Sequence, residues 1–167
     1  LNDNYPFLGG VRAYRLLDGT FKLRFKDGTS HLFNAAGFLI VQQDPNGNKI
    51  TILRDANNNA IEIREPSGRA LTFTYQSINI TRSQTVSGFP DGILPTIATV
   101  ITSITYPIGR VVRYAYDANA NLISVTEPAG GITTYTYDTN LRITSITDAR
   151  GITYINNIYD ANGRVIQ

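Results

Sequence analysis

Hydrophobic and polar positions alternate along most of the chain. Leu71, Phe73 and Tyr75 are separated by Thr72 and Thr74; Val112, Tyr114 and Tyr116 by Arg113 and Ala115; Thr133, Tyr135 and Tyr137 by Thr134 and Thr136. Phe21, Leu23 and Phe25 alternate with Lys22, Arg24 and Lys26 in the same way. A period of two places each trio on one face of a strand and the residues between them on the other. Shorter apolar-polar runs follow, Leu122-Ile123-Ser124-Val125-Thr126 and Ile143-Thr144-Ser145-Ile146-Thr147, with Ala60-Ile61-Glu62-Ile63-Arg64 a weaker copy. No stretch keeps apolar residues at i, i+3, i+4 and i+7 without internal turn signals, so helices are not expected. Stacked side by side, the aromatic trios are expected to form cross-strand ladders, each pair contributing roughly 0.2–1 kcal/mol.

Turn signals punctuate these runs at a near-constant step. Gly47, Gly68, Gly109, Gly130 and Gly151 are separated by 21, 41, 21 and 21 residues, the second interval being close to two steps. Gly28 is a degenerate member of the series, and Asp18-Gly19 opens a further hairpin. A second turn closes each unit, as in Tyr116-Asp117-Ala118-Asn119-Ala120-Asn121 and Tyr159-Asp160-Ala161-Asn162-Gly163-Arg164. Asp accepts backbone N–H bonds in an Asx turn, and glycine tolerates the left-handed conformation that follows. At the Gly163 position the other copies carry Asn58, Ala120 and Leu141. Ala and Leu are strained there, so those two turns are expected to take another form.

The pattern specifies an all-β fold: an antiparallel hairpin-repeat meander, a curved sheet strip that gains two strands per repeat. Residues 1–167 read as one array. Residues 77–98 break it, as an inserted hairpin or long loop where specific function could reside.

Composition agrees and narrows the chemistry. Only 17% of the 167 residues are charged, against roughly 25% in an average soluble domain. Fifteen Lys and Arg against 13 Asp and Glu leave a charge of +2, and the basic residues are scattered singly, which argues against a nucleic-acid partner. No apolar run approaches the ~18 residues of a membrane span. The absence of Cys excludes disulfides, thiolate zinc sites and cysteine nucleophiles. A single histidine, His31, excludes His-pair metal motifs.

Three segments, beginning at Asp44, Asp55 and Asp117, share an Asp-x-Asn-x-Asn spacing that resembles half a calcium loop. The sixth position holds Lys49, Ala60 or Leu122 instead of Gly, and the twelfth Asp55, Pro66 or Pro128 instead of Glu. These read as Asx turns, with no metal. Glu62 and Glu65 are the acids least tied to turns, but Glu62 reads as an exposed strand residue, and a glycosidase needs carboxylates roughly 5–9.5 Å apart in a cleft. His31 has no nucleophile nearby and reads as a hydrogen-bonded strand residue. Neither a Gly-x-Ser-x-Gly elbow nor a phosphate loop occurs, so no catalytic residue and no cofactor are assigned. Asn79-Ile80-Thr81 is the one glycosylation sequon. The tyrosines could stack on sugars; their recurrence in every repeat favours packing, because a dedicated sugar site would break that regularity.

At its Tyr-Asp pairs the chain resembles the RHS or YD-repeat family. Tyr116-Asp117, Tyr137-Asp138 and Tyr159-Asp160 match the name-giving dipeptide, and Val125-Thr126-Glu127-Pro128, Asn162-Gly163-Arg164-Val165 and the run from Gly130 to Tyr137 match its surroundings. The likeness covers roughly residues 16–76 and 99–167, with departures early on: Gln76 replaces Asp, Arg54 precedes Asp55 where Tyr is usual, and Phe33-Asn34 is off pattern. The resemblance implies a hollow, spiralling β-shell like those of bacterial polymorphic and Tc-type toxins, type VI effectors, wall-associated secreted proteins and teneurins. In the bacterial toxins that shell encloses a C-terminal toxic domain, often freed by self-cleavage beyond the repeats. It implies that this chain is a non-catalytic piece of a longer secreted or cell-surface protein, whose partners are the rest of its own shell and an enclosed passenger. The residues carrying that role would be Gly47, Gly68, Gly109, Gly130, Gly151 and Gly163 with the three Tyr-Asp pairs. The alternative is an extracellular adhesion module that binds a cell-surface protein or glycan. Physics points the same way as the resemblance, since a one-layer strip covers neither of its faces unless it curls on itself.

Overall fold

The computed structural model of the chain describes residues 4–8, 10–80 and 97–166. Its regular structure is strand, apart from one short 3-10 turn at Pro107–Gly109. The strands are β1 (Asn4–Leu8), β2 (Val11–Arg15), β3 (Phe21–Arg24), β4 (Ser30–Phe33), β5 (Leu39–Gln43), β6 (Lys49–Arg54) and β7 (Ala60–Arg64). They continue with β8 (Ala70–Asn79), β9 (Ile97–Thr105), β10 (Val111–Tyr116), β11 (Leu122–Thr126), β12 (Ile132–Tyr137), β13 (Ile143–Thr147) and β14 (Thr153–Asn156). Each strand neighbours those before and after it in sequence, the antiparallel hairpin meander that the alternation specifies. Of the 77–98 excursion, residues 81–96 lie outside the described residues, while its flanks belong to β8 and β9. No helix among the described residues is long and apolar enough to cross a membrane.

The chain divides into two compact units, Leu1–Phe73 and Thr74–Gln167. In the first, the register runs Ala13↔Leu23, Leu23↔His31 and Phe21↔Phe33, gathering the apolar residues on one face. Arg12↔Arg24 and Tyr14↔Lys22 lie on the other. Farther along, Ile52↔Ile63 and Ile63↔Leu71 continue the apolar face.

In the second unit, Tyr114↔Val125, Val125↔Thr133, Tyr135↔Ile146 and Ile146↔Ile155 put both tyrosines on one face. The opposite face is a field of hydroxyls: Thr136 Oγ1 lies 2.7 Å from Thr144 Oγ1 and 2.6 Å from Ser145 Oγ, and Thr147 Oγ1 lies 2.8 Å from Thr153 Oγ1. This register corrects the expected aromatic ladder. The rings sit on alternate strands, so the residue directly across from Tyr114 is Val125 and that across from Tyr135 is Ile146. In this unit the pairs at Tyr114 and Tyr135 are aromatic against aliphatic, whereas Phe21 against Phe33 in the first unit is a pair of rings. The sheet is a single layer: among the described residues only Val112 (6% exposed) and Ser30 (8%) are buried.

Candidate functional site

The repeated feature is the turn. At residue i, whose side chain is most often Asp, the backbone N–H donates to the carbonyl of i+4, and the N–H of i+3 donates back to the carbonyl of i. Asp117 bonds Asn121 at 3.0 Å and Ala120 bonds Asp117 at 3.1 Å; Glu65 bonds Arg69 at 3.0 Å and Gly68 bonds Glu65 at 2.9 Å. The same pair of bonds recurs from the turn at Leu16 to the turn at Asp160. Residue i+3 is left-handed throughout, including Gly47, Gly68, Gly130, Gly151 and Gly163. This is the three-residue hairpin loop that pairs a type I turn with a left-handed residue.

Ala120 (φ 60°), Leu141 (φ 66°) and Asn58 (φ 65°) occupy that seat as well, so the turns expected to differ do not. The carboxylate explains why. Asp138 Oδ1 accepts the N–H groups of Asn140 and Arg142, both at 2.9 Å, and Oδ2 accepts Arg142 Nε at 2.7 Å. Asp117 does the same for Asn119, Asn121 and the Asn121 side chain at 2.9, 2.9 and 2.8 Å. Three such bonds to one carboxylate offset the steric cost of a left-handed residue that carries a side chain. Asp44 and Asp55 direct their carboxylate oxygens to the same donors at Asn46, Asn48, Asn57 and Asn59. Their acidity is raised chiefly by the side-chain bonds from Asn48 and Asn59.

The residue before the Asp has a second job. Tyr116 Oη donates to the carbonyl of Ile101 at 2.9 Å, Tyr137 Oη to that of Leu122 at 2.8 Å, and Tyr159 Oη to that of Ile143 at 2.7 Å. Paired register in the corresponding neighbour strands stops at Ser103, Ser124 and Ser145. Each accepting carbonyl lies two residues past the last register pair with the donor's strand, and that of Ile143 also accepts the Asn157 side-chain amide at 3.1 Å. The tyrosine is a clip across the point where neighbouring hairpins part. Burial raises the pKa of the Tyr116 and Tyr137 phenols.

Arg54, standing where the motif usually has Tyr, fills the same place. Its Nε donates to the carbonyl of Leu39 at 3.0 Å, again two residues past the last paired residue, Val41. A β-bulge accompanies these turns: the register shifts at Leu32/Phe33, Leu53/Arg54, Ala115/Tyr116 and Thr136/Tyr137. Each bulge adds one residue to the returning strand and increases local twist.

Successive turns of this rim also touch. In the first unit, the Arg54 guanidinium lies 5.2 Å from the centre of the Phe38 ring, and Asn34 Nδ2 donates to Asn58 Oδ1 at 2.8 Å. In the second, Arg142 lies 4.3 Å from the centre of the Tyr159 ring. In both cases residue i+4 of one turn meets residue i−1 of the next, with the cation and the ring exchanged. Asp117 and Asp138 flank an open hollow of about 550 Å³ shared by their two turns.

The opposite rim of the second unit carries Gly109, Gly130 and Gly151, and there the turn at Tyr106 is exceptional. Ile108 (φ 73°) and Gly109 (φ 78°) are both left-handed, and its first residue is an aromatic without a carboxylate. A second hollow, about 340 Å³, lies between this turn and that of Glu127.

The remaining candidates have local partners. Glu62 is half-buried rather than exposed, and its carboxylate lies 2.7 Å from Arg64. Glu65 pairs with Arg69 and accepts the Ser67 hydroxyl at 2.7 Å. His31 sits edge-on between Phe25 and Phe33, with centroids 4.8 and 6.4 Å away.

The RHS repeat family matches residues 101–132 and again residues 120–153. No curated protein matches the chain. Among solved structures, the chain is similar to a TcdB2-TccC3-Cdc42 crystal structure, at 11% identity and a TM-score of 0.31, over 98% of this chain and 14% of that one. It is also similar to TcdB2-TccC3-TEV, at 9% identity and a TM-score of 0.23, over 99% of this chain and 17% of that one. A third is a Tc holotoxin pore of Photorhabdus luminescens with a mutated TccC3, at 13% identity and a TM-score of 0.22, over 92% and 11% of the respective chains. The chain spans less than a fifth of the length of each. Residues 101–153, the stretch that matches the RHS repeat family, hold the turns at Tyr106, Asp117, Glu127, Asp138 and Asp148.

Proposed function

We propose that this chain is a non-catalytic wall segment of a secreted RHS-type shell, which encloses a passenger polypeptide, a C-terminal toxin, and keeps it from water, proteases and the producing cell. One observation supports the reading above others: the sheet is a single layer with almost nothing buried among the described residues, which suits a partition better than a self-contained core. In this reading the left-handed turn residues and the Asp carboxylates fix the shape of each hairpin. The Tyr and Arg54 clips hold neighbouring hairpins together where they diverge. The partners are then the rest of the shell and the passenger.

The test is limited proteolysis of the longer host polypeptide with and without this segment. A passenger resistant in the intact protein and digested when 97–167 is deleted supports enclosure. Equal digestion of the passenger in both would refute it. The turn at Tyr106, which departs from the repeat, favours a second role in recognition.

A further inference from the structure

Asparagine stands at position i+2 of the turns that begin at Asp44, Asp55, Asp117, Asp138 and Asp160, as Asn46, Asn57, Asn119, Asn140 and Asn162. The residue after it takes the left-handed seat. That residue is glycine at Gly47 and Gly163, and carries a side chain at Asn58, Ala120 and Leu141. Asparagines at i+4 are held fast: Nδ2 of Asn48, Asn59 and Asn121 donates to the Asp Oδ2 of its own turn at 2.7, 2.9 and 2.8 Å. At Asn46 and Asn162 it is the backbone N–H that is engaged, donating to Asp44 Oδ1 and Asp160 Oδ1 at 2.9 Å. Neither side-chain amide makes a hydrogen bond among the described residues, and both asparagines and the glycines that follow them are exposed.

Asparagine is a thermolabile residue, because the backbone nitrogen that follows it can attack its side-chain carbonyl carbon. A Cβ on the following residue crowds that attack, and glycine leaves the approach open. We propose that Asn46 and Asn162 are sites of spontaneous deamidation, and that the side chains of Asn58, Ala120 and Leu141 shield the asparagines that precede them. In the reaction the glycine N–H gives its proton to solvent base, its nitrogen bonds to the asparagine Cγ, and the Cγ–Nδ2 bond breaks. Ammonia leaves with a proton from water, and a cyclic imide remains. Water then adds to one imide carbonyl and breaks its bond to nitrogen. Opening at Cγ gives aspartate; opening at the backbone carbonyl gives isoaspartate, whose main chain runs through an extra methylene.

The folded turn restrains this chemistry. The Gly47 N–H donates to the Asp44 carbonyl at 3.2 Å and the Gly163 N–H to the Asp160 carbonyl at 3.0 Å, so each nitrogen attacks only when its hairpin opens locally. Isoaspartate lengthens the path from i to i+3 and i+4 and thereby breaks the pair of backbone bonds that defines the turn. At Asn162 the hairpin affected is the one whose Tyr159 reaches the Ile143 carbonyl and stacks on Arg142. The seats at Asn58, Ala120 and Leu141 thus exchange an easy backbone conformation for chemical endurance. The inference stands whether or not the chain encloses a passenger.

The experiment incubates the full chain in warm, mildly alkaline buffer, digests it in acid at intervals and follows all five asparagines by peptide mass spectrometry, with enzymatic methylation to count isoaspartate. Asn46 and Asn162 should convert at least about tenfold faster than Asn57, Asn119 and Asn140. Gly47→Ala should slow Asn46 by at least about tenfold. Ala120→Gly should speed Asn119 by at least about tenfold without lowering the unfolding midpoint. A more stable turn that is chemically shorter-lived is an outcome that loss of structure would not produce. Conversion of Asn46 and Asn162 no faster than that of Asn140 overturns the assignment. So does an Asn119 rate that Ala120→Gly leaves unmoved.

Discussion

Arg54 places its Nε 3.0 Å from the carbonyl oxygen of Leu39, 15 residues upstream, the same offset at which Tyr116 reaches Ile101 and Tyr137 reaches Leu122. Two chemically unlike side chains donate to the same backbone position, a carbonyl two residues beyond the last register pair. The same Arg54 lies over Phe38, while in the later repeats Tyr159 offers its ring to Arg142. A cation–π contact of this exposed kind contributes roughly 0.5–1 kcal/mol with either partner supplying the charge.

Removing a clip should cost about 1 kcal/mol, the net value of a hydrogen bond to a part-buried carbonyl. Tyr137→Phe, which keeps the ring and deletes only the donor, isolates that contribution. Urea unfolding should show a lower midpoint with an unchanged slope. Arg54→Leu also loses the 2.6 Å bond from Nη1 to the Asn58 carbonyl and the Phe38 contact and should destabilise by roughly 2–3 kcal/mol, with Arg54→Tyr falling between it and the parent. Equal stability of all three variants with the parent would remove the clip.

The left-handed seats make opposite predictions for two substitutions. Ala120→Gly relieves a residue at φ 60° and should stabilise by about 1 kcal/mol. Gly163→Ala should destabilise by at least that amount: its backbone is at φ 79°, and an added Cβ would stand 3.1 Å from Arg142 Nη1. Thermal unfolding of the two variants side by side tests the pair, and shifts of the same sign would contradict it.

Ile108→Gly should raise stability by roughly 1 kcal/mol. A 93% exposed side chain has little burial to lose, so relief of its φ 73° backbone dominates. A variant less stable than the parent would show that Ile108 is held by contacts rather than strained.

The turn carboxylates set the response to acid. The pKa values of Asp44, Asp55 and Asp148 are lowered first by side-chain bonds from Asn48, Asn59 and Arg150, and that of Asp138 first by the Arg142 backbone N–H. Their protons are therefore held more weakly in the folded chain than in the unfolded one. The stabilisation they give is complete above the unfolded value near 4 and disappears as pH falls through the lower folded values. Tyr114, Tyr116 and Tyr137 have raised values from burial, so the unfolded chain ionises first above about pH 10 and stability falls there as well. A denaturation midpoint measured from about pH 2 to 11 should form a plateau with two falling shoulders. A midpoint level below pH 4 would dispose of the acidic half.

The strands and both sets of turns were legible because period-two alternation and turn residues are local signals. Three features were not. Ala120 and Leu141 looked unsuited to a left-handed seat, since a local steric cost can be read from sequence while the compensating bonds from Asp117 and Asp138 emerge only once the turn closes. Arg54 looked like a lapse in the motif because its partner is 15 residues away and belongs to the backbone, which carries no sequence signature. The aromatic ladder was overestimated in the second unit for a reason of register: there the tyrosines fall on alternate strands, so Tyr114 and Tyr135 have aliphatic residues across from them, while Phe21 does face Phe33. The hollow at Tyr106 was missed because it forms between two turns, at Tyr106 and Glu127, that are far apart in sequence.

Every strand is bonded only to the strands beside it in sequence, and every clip reaches one strand back. Copying or excising a two-strand unit would therefore give the hairpin at the junction an equivalent partner in place of the former one and leave the others unchanged. Recombination within the gene can lengthen or shorten such a protein in fixed increments, with no central interior to be rebuilt each time.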